Sequence, residues 1–268
     1  MMKKILLVAS LLAAAGCQTV QTTQPGAVGV ERQQSMLVSS KEVNQSAAKA
    51  YDQVLAAAEK KGQLNQDPVL LERVRRVSQR LIPQTGVFRA DAPGWDWEVN
   101  LISSKELNAW VMPGGKIAFY TGLIEKLKLT DDEIAAVMGH EIAHALREHG
   151  RERASQAMAQ SIALSIGGAL LGLGDSSVQL AQIITDVTFN LPNSREHEIE
   201  ADRVGVELAA RGGYDPRAAI TLWQKMGQVG GATPPQFLST HPSPQNRQKD
   251  LTAYAARVMP LYESARRR

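Results

Sequence analysis

The pentapeptide His140-Glu141-Ile142-Ala143-His144 constrains the fold of this chain more than any other feature. Two imidazoles reach one metal ion from nearby positions when they share a face, and residues four apart do so on an α-helix. Thr130-Asp131-Asp132-Glu133 supplies the start of that helix, because a Thr with a Glu three residues on caps reciprocally. Ile134, Val137 and Met138 then follow at helical spacing, and Glu141 stands beside the two histidines, where it can hold a water.

A catalytic zinc needs three protein ligands and one exchangeable position. His149 is near in sequence, but on a continuing helix of about 100° per residue it turns away from His140 and becomes a C-terminal residue facing the helix dipole. Arg147 and Gly150 occupy the places where a metzincin needs Gly and His, which excludes that class. A second acidic cluster runs from Asn193 to Asp202. Asn193 with Glu196 predicts a capped helix reaching about Arg211 and stopped by Gly212-Gly213. On it Glu198 and Asp202 are four apart and share a face. One carboxylate there can bind the metal while the other accepts the free N–H of a ligating histidine.

Around these motifs the chain reads as helices with a little sheet. Lys41 to Lys60 carries a helical apolar stripe, and Asp67-Pro68 opens a second helix. The alternation from Trp95 to Leu101 predicts a half-buried strand, and Asn108 to Met112 with Lys116 to Tyr120 predicts an antiparallel hairpin across Pro113-Gly114-Gly115. The expected class is mainly α with a small antiparallel β-sheet (α+β).

Gly139-His140-Glu141-Ile142-Ala143-His144 and Glu198-Ile199-Glu200-Ala201-Asp202 together resemble the gluzincin peptidases that group the HtpX-type heat-shock membrane proteases with the CAAX prenyl endopeptidases, and more specifically their periplasmic lipoprotein members. The likeness extends from about Asn108 to Arg247. It implies one Zn²⁺ per chain on His140, His144 and Glu198, with Glu141 as general base and Asp202 orienting a ligand. It also implies that Asn108 and Ala109 lie on an edge strand that pairs with extended substrate. Ser239-Thr240-His241-Pro242-Ser243-Pro244 with Arg247 is similar to the family's C-terminal His-Pro motif, which places His241 and Arg247 at the active site. By their own chemistry, Ser243-Pro244 predicts a helix start with His241 just outside it. His241 is then either a transition-state donor or a fourth zinc ligand that holds the site closed. The likeness implies that zinc with His241 or Arg247 holds the oxyanion.

Integral-membrane relatives carry two spanning helices between the metal helices. Here Ala157 to Leu173 and Val178 to Leu191 are broken by polar residues, and neither reaches 18 uninterrupted apolar positions. A helical hairpin over residues 157–191 is expected, lying over the cleft or on a membrane surface, or packed into the core.

The N-terminus sets the compartment. Lys3 and Lys4 precede an apolar run from Ile5 to Ala15, and Ala14-Ala15-Gly16 leads to Cys17, the single cysteine. Residues 1–16 read as a signal peptide, and the segment resembles a bacterial lipoprotein signal in which Cys17 is lipidated. Gln18 beside it is compatible with the outer membrane. Residues 17–40, rich in Gln, Thr, Ser and Gly, are expected to form a lipid-anchored flexible tether, and residues 41–268 the peptidase domain. A formal charge of +3 with no basic stripe argues against nucleic acid as a partner. The function these readings imply is a zinc-dependent endopeptidase of the bacterial cell envelope, acting on unfolded or extended proteins and able to meet envelope protein partners. The alternative is a non-enzymatic envelope chaperone or assembly factor with a structural zinc.

Overall fold

The computed structural model describes residues 18–167, 176–229, 235–243 and 245–267. The expected signal peptide, Cys17 and the middle of the 157–191 hairpin lie outside the described residues. In chain order the elements are strands β1 (Gln18–Val20) and β2 (Gln34–Met36), helices α1 (Ser40–Lys60) and α2 (Pro68–Leu81), then strands β3 (Glu98–Ile102), β4 (Ala109–Met112) and β5 (Lys116–Tyr120). Eight further helices follow: α3 (Thr121–Lys126), α4 (Asp131–Leu146), α5 (His149–Gly167), α6 (Ser176–Phe189), α7 (Arg195–Arg211), α8 (Ala218–Gly227), α9 (Gln236–Thr240) and α10 (Arg247–Arg266). Among the described residues no helix is long and apolar enough to cross a membrane.

Local chemistry sets the helix starts. The Thr130 hydroxyl accepts from the Glu133 amide while the Glu133 carboxylate takes the Thr130 amide, closing the expected box at α4. Asp67 caps α2 with Pro68 at its first position. At α7 the cap is Ser194, whose side chain accepts from the His197 amide, rather than Asn193. Asn193 instead faces sideways, where its carbonyl oxygen accepts from Arg153 and its amide donates to the Thr240 carbonyl.

α4 is the central element, buried continuously from Glu133 to Leu146. It lies directly against α7, and two glycines make that approach possible. A Cβ on Gly139 would stand 2.6 Å from the Gly205 carbonyl oxygen, and one on Gly205 would stand 2.7 Å from the His140 amide nitrogen. Any side chain at either place would push the second metal-site helix away from the first.

The main sheet has the order β3-β5-β4. β4 and β5 form the expected antiparallel hairpin, with Val111 opposite Ile117 and the turn made by Gly114 and Gly115 at positive φ. The sheet as a whole is mixed rather than antiparallel, because β3 pairs in parallel with β5, Val99 opposite Ile117. The chain leaves β3, crosses to the far edge for β4, and reverses once, so β5 returns into the gap alongside β3.

The expected tether is the larger correction. Residues 18–36 are laid down on the body: β1 and β2 pair antiparallel, and Thr23, Val28, Val30, Gln34 and Met36 are buried. The reason lies in its partners. The Val28 amide donates to Glu207, and Arg32 and Gln34 meet buried acids of α5 and α7. A composition that reads as flexible is fixed by polar groups elsewhere in the chain.

Candidate metal centre

Four donors from three elements converge. α4 brings His140 and His144, α7 brings Glu198, and the turn after α9 brings His241; one ligand atom from each lies within 4.8 Å of all the others. His144 Nε2 is 3.1 Å from His140 Nε2, which is 3.5 Å from Glu198 Oε2, while Glu198 Oε1 stands 3.4 Å from His144 Nε2. His241 joins through Nδ1, 3.2 Å from His140 Nε2 and 3.1 Å from Glu198 Oε1.

These separations test the fit to zinc. Ligands about 2.0–2.1 Å from a tetrahedral ion lie about 3.3 Å from each other, which is the spacing found here. The ring hydrogen bonds agree. His140 Nδ1 is engaged by Asp202 Oδ1 at 3.0 Å and His144 Nδ1 by His149 Nδ1 at 2.8 Å, which leaves both Nε2 lone pairs turned toward each other and toward a carboxylate. Two ring nitrogens this close need either a proton or a metal cation between them. The donor set therefore suits zinc.

Burial would lower His140, but Glu198 and Asp202 outweigh it and push the ring up to about 10, so without a metal a proton stands where the cation would. Burial would push the Glu198 carboxyl up, but the facing His241 and His140 rings hold it well below the usual carboxylate range, so it is ionised. Burial drives His144 well below its ordinary value, giving the neutral imidazole a metal needs. Burial raises Glu141 above the ordinary glutamate value, which brings it toward the pH at which a general base works. Its Oε1 is buried with no hydrogen-bond partner, and His241 Nε2 stands 3.5 Å from it. That free oxygen is where a water or a proton would be taken up.

Arg247 stands behind two of the carboxylates. Its Nε donates to Asp202 Oδ2 at 2.6 Å and its Nη2 to Glu198 Oε2 at 2.7 Å, while its guanidinium carbon is 3.5 Å from the centre of the Trp223 ring. Two of its nitrogens are taken by carboxylates because those buried charges would otherwise stand unpaired. Arg247 thus braces Glu198 and Asp202, while its Nη1 is buried with no hydrogen-bond partner. The helix near His241 is displaced from the expected place: α10 begins at Arg247 after Asn246, and His241 closes the short α9.

The cleft opens past Glu141, His144 and His241 between β4 on one side and Val187 and Thr188 of α6 on the other. From the strand side its wall is made by Trp110, Val111 and Pro113. Asn108 and Ala109, expected on the substrate strand, are buried at the beginning of that edge; Ala109 opposes Phe119, and Asn108 Oδ1 has no partner. The described part of the 157–191 hairpin therefore reaches the cleft through α6, which also packs on α1 and α5.

Sequence reasoning missed His149, Glu200 and Glu152. α4 ends at Leu146, and Glu148 takes a left-handed conformation with φ of 50°, so His149 swings back beneath His144 instead of away from it. Its Nε2 bonds Glu200 Oε2 at 3.0 Å, and its ring stacks on His197 at 4.3 Å. His197 in turn bonds Glu152. All five histidines of the chain are gathered here, which was the available signal.

Comparison with known proteins agrees with this geometry. The model of peptidase family M48 matches residues 68–255. The mitochondrial metalloendopeptidase OMA1 of Arabidopsis thaliana is 34% identical over 189 residues, 69% of this chain and 37% of its own length. OMA1 of Schizosaccharomyces pombe is 36% identical over 178 residues, 65% of this chain and 50% of its own. The beta-barrel assembly-enhancing protease of Escherichia coli is 27% identical over 205 residues, 73% of this chain and 41% of its own. The matched segment thus spans half or less of each of these relatives.

Proposed function

Because the chain belongs to peptidase family M48, whose members are zinc metalloproteases, we propose that it is a zinc-dependent endopeptidase of the bacterial cell envelope, of the HtpX and CAAX-endopeptidase kind and its lipoprotein branch. The observation that carries this reading is the convergence of His140, His144 and Glu198 beside a buried Glu141 whose Oε1 is unpaired. His140, His144 and Glu198 would hold one zinc ion per chain. When bound, it lowers the pKa of a coordinated water and polarises the scissile carbonyl.

The remaining steps belong to the chain's own groups. Glu141 accepts the proton of the attacking water at Oε1 and passes it to the leaving amine. His241, with Nε2 facing the same space, is placed to donate to the developing oxyanion. The substrate backbone would add to the outer edge of β4, where Trp110 and Val111 line the cleft. Strand addition reads backbone more than side chains, which favours unfolded or unassembled envelope proteins as substrates. The name of the E. coli relative, a beta-barrel assembly-enhancing protease, supports an envelope setting. A lipid on Cys17 would hold the enzyme to the outer membrane, facing the periplasm.

One observation favours a second reading. His241 Nδ1 completes a four-donor set, and four protein donors make a closed, structural site. A chaperone or assembly factor would then need no Glu141. Zinc content and cleavage of an unfolded protein such as casein, with and without chelator, decide between them. Chelator-sensitive cleavage supports the peptidase; bound zinc without cleavage supports the second reading.

A further inference from the structure

His144 is held by a chain of polar groups that begins at the metal-binding nitrogen and ends on the N-terminal segment. We propose that His149 and Glu200 are positioning residues for the ligand His144, and that Arg32 completes their arrangement, making residues 18–36 a working part of the metal centre. This rests on the reading of His140, His144 and Glu198 as zinc ligands.

The direction of the hydrogen bonds follows from the chemistry of imidazole. A ligating histidine presents a lone pair to the metal and carries its proton on the other nitrogen. With Nε2 of His144 turned into the donor cluster, its proton is on Nδ1, and the His149 Nδ1 at 2.8 Å must accept it. His149 then carries its own proton on Nε2, which donates to Glu200 Oε2 at 3.0 Å. Each bond in the series fixes the tautomer of the next ring, and the carboxylate at its end sets the direction.

Glu200 is itself fixed by two arginines. Arg147 Nε donates to Oε2 at 3.0 Å and Arg32 Nε to Oε1 at 2.6 Å. Arg32 also grips Glu152 with both terminal nitrogens, at 2.7 and 2.8 Å. Arg147 is fully buried; its Nη1 reaches Thr23 Oγ1, its Nη2 the Arg32 carbonyl, and its own carbonyl accepts from Gln34. Removing so many charges from water is costly, and apolar residues would pack the same space at less expense. The backbone points the same way. Glu148 holds a left-handed conformation unfavourable for a side-chain-bearing residue, clamped by Arg89 and Arg151, and this is what returns His149 to His144. Strained backbone and a buried charge network converge on one imidazole.

The test measures zinc affinity by competition with a chromophoric chelator on the full chain, with the stability of the metal-free protein followed separately by denaturant. The wild type should bind one zinc. His149→Ala and the near-isosteric Glu200→Gln should bind it about 10–100-fold more weakly, and Arg32→Met should shift it in the same direction by a smaller factor. His149→Asn should recover most of the loss, since its side-chain oxygen can accept the His144 proton where Nδ1 did; a role in packing alone gives no such rescue. Wild-type affinity in folded His149→Ala or Glu200→Gln overturns the positioning role, as does His149→Asn binding no better than His149→Ala. Unchanged affinity in Arg32→Met overturns the part played by the N-terminal segment. If His149→Ala does not fold, Glu200→Gln and His149→Asn carry the test. A wild type that binds no zinc is a different failure, of the ligand assignment itself, and the inference falls with it.

Discussion

His140 and His144 sit one turn apart on α4 yet are secured from opposite ends of the chain. Behind His140 stand Asp202 and Arg247, the latter at the start of α10 and stacked on Trp223. Behind His144 stand His149 and Glu200, backed by Arg32 and Arg147 and covered by the N-terminal segment. The first support is a single carboxylate with one arginine. The second is longer, holds more charge, and depends on a segment whose composition suggests no structure at all. A metal site can therefore draw one ligand's orientation from its own motif and the other's from sequence far outside it.

The largest effect should come from the group that belongs to neither support. Glu141→Gln is expected to cut cleavage of an unfolded protein by about 10²–10⁴ while zinc stays bound, because Glu141 handles a proton rather than the metal. Turnover measured beside zinc content checks this. Loss of zinc in the variant would place Glu141 among the holding residues and erase the distinction between chemistry and support.

Next comes the N-terminal side. Burial opposes ionisation of Glu152, but bonds from Arg32, His197 and Gln34 outweigh it and hold the carboxyl well below its usual range. A depressed carboxyl contributes stability that is present above the unfolded pKa, roughly 4.3, and is lost as pH falls toward the folded value. Glu152→Gln should therefore unfold more easily by about 3 kcal/mol at neutral pH. Denaturant midpoints taken as a pH series should show the gap between variant and wild type constant near neutrality and closing below the unfolded value. A gap that widens in acid would contradict the sign.

Asp202→Asn probes the other side with a smaller change. Zinc affinity should fall about 10–100-fold, since Asp202 orients His140 and meets Arg247. The comparison sharpens here: Asp202 meets a ligand ring directly, whereas Glu152 reaches His144 through Arg32, Glu200 and His149. Asp202→Asn should therefore register chiefly in metal affinity and Glu152→Gln chiefly in the fold. Chelator competition and denaturation run on both variants would show whether the two supports differ in that way or merely in length.

What could be read from the sequence follows the same division. The Thr130 box, the i, i+4 histidines, the Asp67-Pro68 start and the Pro113-Gly114-Gly115 turn are local signals, each contained within a few residues, and the structure shows all of them. Glu198 and Asp202 were legible as a same-face pair on a capped helix, although the cap is Ser194 rather than Asn193. What escaped was relational. Three-residue strands such as β1 and β2 are too short for periodicity to register, and the acids of α5 and α7 that meet Arg32 and Gln34 lie more than a hundred residues away. His149 was misplaced because helix geometry was continued past Leu146, whereas a left-handed Glu148 breaks it. The parallel pairing of β3 depends on the order in which strands fill a sheet, which no strand's own residues encode.

The smallest effect is expected at Glu196, and it isolates the cover provided by residues 18–36. On α7, Glu196 and Glu200 are four apart and therefore differ by only about 40° in direction, so helix geometry alone would treat them alike. Their surroundings do not: the Glu196 side chain is 66% exposed and the Glu200 side chain 6%. Both face Arg32, but its Nε is 3.8 Å from Glu196 and 2.6 Å from Glu200. An exposed pair at that distance is screened by water and contributes well under 1 kcal/mol. Glu196→Ala should accordingly leave zinc affinity and denaturant midpoint at wild-type values, while Glu198→Ala, which removes a ligand, should abolish tight zinc binding. Equal zinc loss in both would mean that the helix responds as a whole, and the face-by-face account of α7 would have to be given up.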